Sequence, residues 1–357
     1  MAWLATFCLL GLPAGFLLLW HIPSCRSKIC SGHEAISLII PARNEEGNLP
    51  GLLGSIRESA AQPAEIIVVD DASTDATASV AEAHGAVVLR SHPLPAGWTG
   101  KNWACFQGAQ QASADVLLFL DADAWFSHQG FEHIANAYCI GGDGGVAMSV
   151  LPYHVVKKPY EELSLFFNLL MAMGAGGFGW LGGPRLFGQS LIVSRDLYNA
   201  GGGHESVSKN ILENLALSSH FERAGGRCIC YGGRGVLNVR MFPNGFAQLC
   251  EGWTKAFADG AAASGAAILC LSIFWLTAMC TCFLAIWLAH GHWRITFGLI
   301  YILFALQLLY FARQIGNFSA VVCLFYPLPL FFYFGLFARS LYRKLFHRSV
   351  NWRGRTL

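Results

Sequence analysis

Two aspartates one residue apart, Asp121 and Asp123, follow directly on the apolar run Val116-Leu-Leu-Phe-Leu120. Such a run reads as a buried strand, and carboxylates at its C-terminal end stand at the rim of a parallel sheet, where open α/β folds bind ligands. Hard oxygen ligands of this kind suit Mg2+ or Mn2+, commonly with a diphosphate as the third party. The bland alternative is a pair of solvated loop acids. A second acidic cluster, Asp70-Asp-Ala-Ser-Thr-Asp75, ends the run Glu65-Ile-Ile-Val-Val69, and Pro41-Ala-Arg-Asn-Glu45 follows Ile36-Ser-Leu-Ile-Ile40. Asp71 and Asp75 also have an ordinary reading as turn and N-cap residues, ahead of a helix that runs through Ala83 and closes at Gly85.

The elements that must position these groups are short. Strand Ile36–Ile40, a helical stretch from about Glu46 to Ser59 and strand Glu65–Val69 make a βαβ unit. Its polar ends lie on the same rim as Asp121 and Asp123.

Three stretches in order, Ile39-Ile-Pro-Ala-Arg-Asn-Glu-Glu46, Val68-Val-Asp-Asp-Ala-Ser-Thr-Asp75 and Leu118-Phe-Leu-Asp-Ala-Asp123, resemble the family-2 glycosyltransferases over roughly Ser37 to Lys255. The resemblance implies an α/β fold of the GT-A type, a Rossmann-like nucleotide-sugar-binding domain, and an inverting transfer. It places Pro41, Arg43, Glu45 and Asp70 or Asp71 at the uracil and ribose, and Asp121 and Asp123 at the diphosphate through Mg2+ or Mn2+. Gly97-Trp-Thr-Gly-Lys101 is similar to a narrower group, the bacterial carotenoid-acid glycosyltransferases and the hopanoid-associated transferases, in which Lys101 would lie near the donor. Phe187-Gly-Gln189 matches the loop over the donor sugar and acceptor.

Relatives carry an acidic pair where this chain has Glu213-Asn214, the second acid acting as general base. Asparagine accepts no proton at neutral pH, so either Glu213 serves as base or none is needed. A carboxylic acid acceptor is already ionised near pH 7, and the resemblance to carotenoid-acid enzymes implies such an acceptor and a glycosyl ester product. The catalytic set is then Glu213, Asn214 and Asp123, the donor set Pro41, Arg43, Glu45, Asp70, Asp71, Lys101, Asp121 and Gln189, and the metal pair Asp121 and Asp123. UDP-glucose is the implied donor. The Gln-x-x-Arg-Trp string of processive relatives is lacking, Gln248-Leu-Cys-Glu-Gly-Trp253 being nearest, so one sugar is moved. Arg240 or Lys255 is placed to reach a phosphate or a lipid headgroup.

Composition supplies the setting. The chain of 357 residues is 54% hydrophobic and 13% charged, with 39 glycines, too apolar for an ordinary soluble protein. Met1 to Trp20, Gly260 to Ala289, Ile295 to Ala312 and Gln314 to Ala338 are candidate membrane segments. The expected organisation is an anchor over 1–22, a cytosolic GT-A domain over 32–259, two to three transmembrane helices within 260–340, and a basic tail over 341–357. Three full crossings would put the tail's Arg339, Arg343, Lys344, Arg348, Arg353 and Arg355 outside, against the positive-inside rule. One crossing should therefore be incomplete, either the short Ile295–Ala312 or Gln314–Ala338 with its Pro327 and Pro329. Leu163 to Trp180, rich in glycine and aromatics, is expected on the bilayer surface, with a buried core helix as the alternative.

The twelve cysteines are scattered and form no CxxC pair, so neither a zinc site nor a disulfide framework is expected. Net charge +2 gives nucleic acid binding no support, and no obligate protein partner is evident. The expected partners are a nucleotide sugar, an apolar lipid acceptor and the cell membrane. Competing readings are transfer to a lipid alcohol, hopanoid or polyprenyl phosphate, and a non-catalytic membrane scaffold.

Overall fold

A computed structural model of the chain describes residues 1–26, 35–141, 144–174, 177–181, 183, 185–210, 212–263, 265–346, 351–352 and 355–356. The residues Arg348 and Arg353 and the side chains of Lys255, Arg343, Lys344 and Arg355 lie outside the described residues. The chain divides into two units: Ile22–His154 with Pro184–Arg240, and Met1–His21 with Val155–Gly183 and Met241–Leu357. Of the stretch expected as one polar domain, Val155–Gly183 and the residues after Arg240 fall in the second unit.

The first unit is built on a sheet of seven strands: β1 (Ile36–Ala42), β2 (Glu65–Asp70), β3 (Val87–Arg90), β4 (Val116–Leu120), β6 (Val146–Leu151), β8 (Ser190–Ser194) and β9 (Arg227–Gly232). Their order is β3-β2-β1-β4-β8-β6-β9, all pairs being parallel except those made by β8. All five residues of β4 are buried. Along β1, Leu38 and Ile40 join the core on one face of the sheet while Ile39 joins the core on the other. Burial on both faces is what a continuous Val/Ile/Leu run encodes, and helices supply the cover.

Those helices are α2 (Leu49–Arg57), α3 (Thr77–Ala83), α4 (Gly100–Gln111), α5 (Gly130–Gly141), α7 (Arg195–Ala200) and α8 (Glu213–Arg223). A small sheet of β5 (Ala124–Phe126), β10 (Leu237–Val239) and β7 (Tyr153–His154) completes the unit. The first helix is shorter than the expected Glu46 to Ser59, because Glu45 O accepts from Asn48 N and Leu49 N in a turn, and Glu46 turns aside to Ala76 N. Gly108 lets α4 lie close on β1 and β2, since a Cβ there would collide with Ile39 Cγ2.

In the helical unit, α1 (Ala2–Leu18), α10 (Ala266–Leu288) and α11 (His292–Ile315) pack together. Gln307 Nε2 donates to Leu12 O at 2.7 Å and its Oε1 accepts from Trp275 Nε1 at 3.0 Å, so one buried amide ties the three helices. Gly15 makes room for it, as a Cβ would fall on Trp275 and Gln307. Among the described residues, α10 and α11 are long and apolar enough to cross a membrane, whereas α1 has 17 residues. Ile295–Ala312, expected as the shortest candidate, lies within α11, the longest helix of the three at 24 residues.

Gln314–Ala338 is the broken segment. After α11 come α12 (Ala320–Leu324) and α13 (Pro327–Phe346), and the turn between them meets the middle of the bundle. Tyr326 OH donates to Met279 O and Tyr301 OH to Leu324 O, at residues about 20 Å along α10 and α11 from Ala266 and Ile315. The start of this excursion is fixed, with Asn317 bonded through its amide to both Val156 N and Val156 O, and Glu162 accepting from Ser319 N. Its return is fixed as well: α13 runs beside α9 (Phe246–Ala263), where Ser340 Oγ donates to Thr254 O.

The stretch expected on the bilayer surface corrects to a core position. Helix α6 (Leu165–Gly174) has seven of its ten residues buried. Phe167 stacks on Trp253 and meets Phe332 and Tyr333 edge-on. A helix apolar on every side finds protein partners all round, which a surface helix with one polar face does not. The cysteine expectation also needs correction: among the described residues ten are free, but Cys139 is disulfide-bonded.

Candidate active site

Strand register brings the three acidic motifs together. Ala42 lies opposite Asp70 and Ile39 opposite Phe119, so the residues after β1, β2 and β4 emerge on one edge of the sheet. There the first two loops are laced to each other. Arg43 Nη1 donates to Asp71 O at 2.7 Å and lies 3.7 Å from Asp71 Oδ2. Asn44, at φ 55°, accepts from Thr74 N, and Glu45 N donates to Thr77 Oγ1. Asp70 Oδ1 accepts from Ser73 N, while Asp75 accepts from Glu46 N and from both the amide and hydroxyl of Thr77. Asp75 is thus a turn residue, and these bonds hold its carboxyl below its ordinary value against the opposing pull of burial. Glu45, Asp70 and Asp71 are all buried.

The third motif opens onto a small cavity lined by Pro41, Lys101, Asp121, Gln189, Glu213 and Asn214, all expected at the site, together with Cys105, Phe119, Leu120, Gly188 and His204. Lys101 is its hub. Thr99 caps α4 by accepting from Asn102 N, and Asn102 Nδ2 donates to the carbonyls of Val207, Ser208 and Asn210, which locks the first turn of α4 to the segment before α8. Lys101 Nζ, projecting from that turn, lies 2.7 Å from Asp121 Oδ1 and 2.7 Å from Glu213 Oε1, and donates to Gly188 O at 2.9 Å. Three acceptors meet the three N–H donors of an ammonium.

Burial opposes the charge on Lys101, but Asp121 and then Glu213 overcome it and hold the ammonium protonated well above the usual lysine range. Glu213 is 3% exposed, and burial pushes its carboxyl upward, with Lys101 pulling down and Asp121 adding to the upward push. Asp123 follows in the β4–β5 connection, partly exposed, within a turn in which Ala124 N donates to Asp121 O.

His204 was not foreseen. It sits in a short 3-10 turn, Gly203–Val207, with Nδ1 2.9 Å from Tyr198 OH, and a single histidine outside any motif gives sequence reading nothing to hold. Burial and the Lys101 charge bring it down to about 3, so it is neutral and a weak base. Gln107, outside the cavity, is structural: its Oε1 accepts from His92 N and its Nε2 donates to Ser91 Oγ after β3.

Residues 37–201 match glycosyl transferase family 2. Curated 4,4'-diaponeurosporenoate glycosyltransferases of Staphylococcus aureus are similar along nearly the whole length, strain MRSA252 at 34% identity and strain USA300 at 33%, each over 332 residues covering 90% of this chain and 88% of the relative. The chain belongs to glycosyl transferase family 2. It is therefore a glycosyltransferase, and its sheet is that of the GT-A fold. A solved mannosyltransferase of Pyrobaculum calidifontis, in complex with GDP-Man and Mn2+, shares that fold at a TM-score of 0.56 and 18% identity, covering 90% of this chain and 97% of its own.

Proposed function

We propose that this family-2 glycosyltransferase moves one glucose from UDP-glucose to the carboxylate of a carotenoid acid, giving a glycosyl ester. The observation that carries this reading is the lack of an uncommitted base among the described cavity residues. Glu213 shares Lys101 with Asp121, Asn214 takes no proton, and His204 is too weakly basic to draw one from an alcohol. An acceptor that arrives ionised needs none. The acceptor named for the Staphylococcus aureus relatives is such an acid.

Asp121 and Asp123 are the residues that would hold a divalent ion. Among the described residues no three His, Cys, Asp or Glu side chains gather to enclose one, so the ion would take its other ligands from diphosphate and water, a usual arrangement for Mg2+ and Mn2+. When bound, the ion neutralises charge on the departing diphosphate. Arg43, Glu45, Asp70 and Asp71, with Pro41, form the wall for base and ribose. Lys101 holds Asp121 and the Gly188 carbonyl in place, and Gln189, whose buried Oε1 accepts no hydrogen bond among the described residues, faces the sugar. Attack from the face opposite the diphosphate inverts the anomeric centre.

A second reading has its own support. Burial raises the proton affinity of Glu213, which suits a general base for a lipid alcohol. Membranes containing the protein, given labelled UDP-glucose, Mn2+ and an apolar carboxylic acid, are expected to yield an organic-phase product that mild alkali cleaves. An alkali-stable glycoside, or no preference for the acid over an alcohol, would sink the ester reading.

The apolar helices fit a multi-pass protein of the cell membrane with its catalytic unit in the cytosol. The excursion of α12 and α13 to mid-bundle and back fits a re-entrant hairpin, which leaves Arg339 and the basic tail on the same side as the catalytic unit, as the positive-inside rule asks. In sealed inside-out vesicles, protease is therefore expected to remove a C-terminal epitope tag and digest the catalytic unit together. A protected tag beside a digested catalytic unit would refute the hairpin.

A further inference from the structure

The Glu213-Asn214 pair departs from the acidic pair of relatives, and the side chain of Asn214 is engaged in a way that a carboxylate would not permit. Asn214 is 3% exposed, and its Nδ2 donates to Phe187 O at 2.8 Å and to Ser190 O at 3.4 Å. Those two carbonyls bracket Gly188 and Gln189. The same short loop is held at four further polar atoms: Leu186 N to Ser218 Oγ at 2.8 Å, Phe187 N to Ser149 Oγ at 2.8 Å, Gly188 O to Lys101 Nζ at 2.9 Å and Gln189 O to Asp121 N at 3.1 Å. Ser218 Oγ in turn donates to Asn214 O at 3.0 Å, which closes a buried network between α8 and the loop.

We infer that Asn214 is a positioning residue whose amide N–H groups fix the Phe187–Ser190 loop, and with it Gln189 and the Gly188 carbonyl, against the sugar. It is a donor by necessity. Aspartate has nearly the same shape, but its ionised form offers only acceptors and would set a buried negative oxygen against two carbonyl oxygens. Its protonated form could donate to one of them. The second position of the pair has therefore changed from a proton acceptor in relatives to a hydrogen-bond donor here. This inference rests on the site being a glycosyltransferase site, and it holds for an acid or an alcohol acceptor alike.

The test is Asn214→Asp beside wild type, measured from pH 6 to pH 8 as the ratio of variant to wild-type kcat. The ratio cancels the groups common to both proteins around this position, namely Glu213, Lys101, Cys105, Asp121, His204 and Cys228. At pH 8 the ratio is expected to be about one tenth or lower, rising several-fold toward pH 6 as the carboxyl protonates. Asn214→Ala should fall at every pH without that slope. Deuterium uptake over residues 186–190 at pH 8, read without substrate, is expected to be several-fold faster in Asn214→Asp than in wild type. A variant as active as wild type at pH 8, or more active, means that the position serves as a base and overturns the inference. A flat ratio, or unchanged uptake, does the same. Failure of the proposed transfer shows separately, as inactivity of wild type, and leaves the exchange measurement to decide the loop. If Asn214→Asp does not accumulate, Ser218→Ala decides: faster uptake over 186–190 supports the network, and unchanged uptake refutes it.

Discussion

Asp121→Asn is expected to lower sugar transfer by roughly a thousandfold or more while leaving the protein in the membrane. The estimate follows from charge: an ion that neutralises a departing diphosphate contributes several kcal/mol, and each 1.4 kcal/mol is about tenfold in rate. An amide in that place binds a divalent ion weakly and also releases one of the three acceptors of Lys101. Asp123→Asn should also lower transfer, by weakening the same ion site. The check is single-turnover transfer with Mn2+ varied over a wide range. Substantial rescue of either variant by high Mn2+ agrees with a weakened ion site. Full activity of Asp121→Asn at low Mn2+ would remove this residue from the reaction.

Lys101→Met is expected to damage both activity and stability, because it leaves two carboxylates that had converged within 2.7 Å of one nitrogen without their shared cation. Breaking a buried pair costs about 3–5 kcal/mol, and since the Lys101 side chain is 34% exposed a lower figure of about 2 kcal/mol applies here. Lys101 has its charged form strengthened, so its contribution is whole below the ordinary lysine value and is lost only as pH rises beyond it. The destabilisation should accordingly be level between about pH 6 and pH 9. The double variant Lys101→Met with Glu213→Gln removes the more deeply buried of the two stranded charges, and should recover much of the stability without recovering transfer. Thermal unfolding of wild type and the two variants in one detergent decides it. If the double variant melts no higher than Lys101→Met, the ion pair is not what holds this corner.

Some of this was legible in the chain itself. Continuous Val/Ile/Leu runs of strand length, each ending in a polar loop, read as strands covered on both faces, so β1, β2 and β4 and the loops at their ends follow from residue type and spacing. That was enough to place Pro41, Asp70, Asp71, Asp121 and Asp123 along one sheet edge before any coordinate. Counting charges against segments also led to the expectation of one incomplete crossing, with Ile295–Ala312 and Gln314–Ala338 both left open as its place.

Other features depend on contacts between residues far apart in sequence, which local pattern does not encode. Lys101 belongs with Asp121 and Glu213 because Asn102 locks α4 to the segment before α8, a register no motif contains. The acid-to-amide change at Asn214 was visible as a letter, yet its meaning came from which two carbonyls lie within reach of its amide. The aromatic helix Leu165–Gly174 looks the same in sequence whether it faces lipid or protein, since both surroundings are apolar. Sequence by itself determined the family, the sheet and the acids at its rim, because period and residue chemistry are local. Only tertiary structure decided which charges meet, which helix is buried and which apolar segment turns back, because those outcomes are set by neighbours brought together in folding.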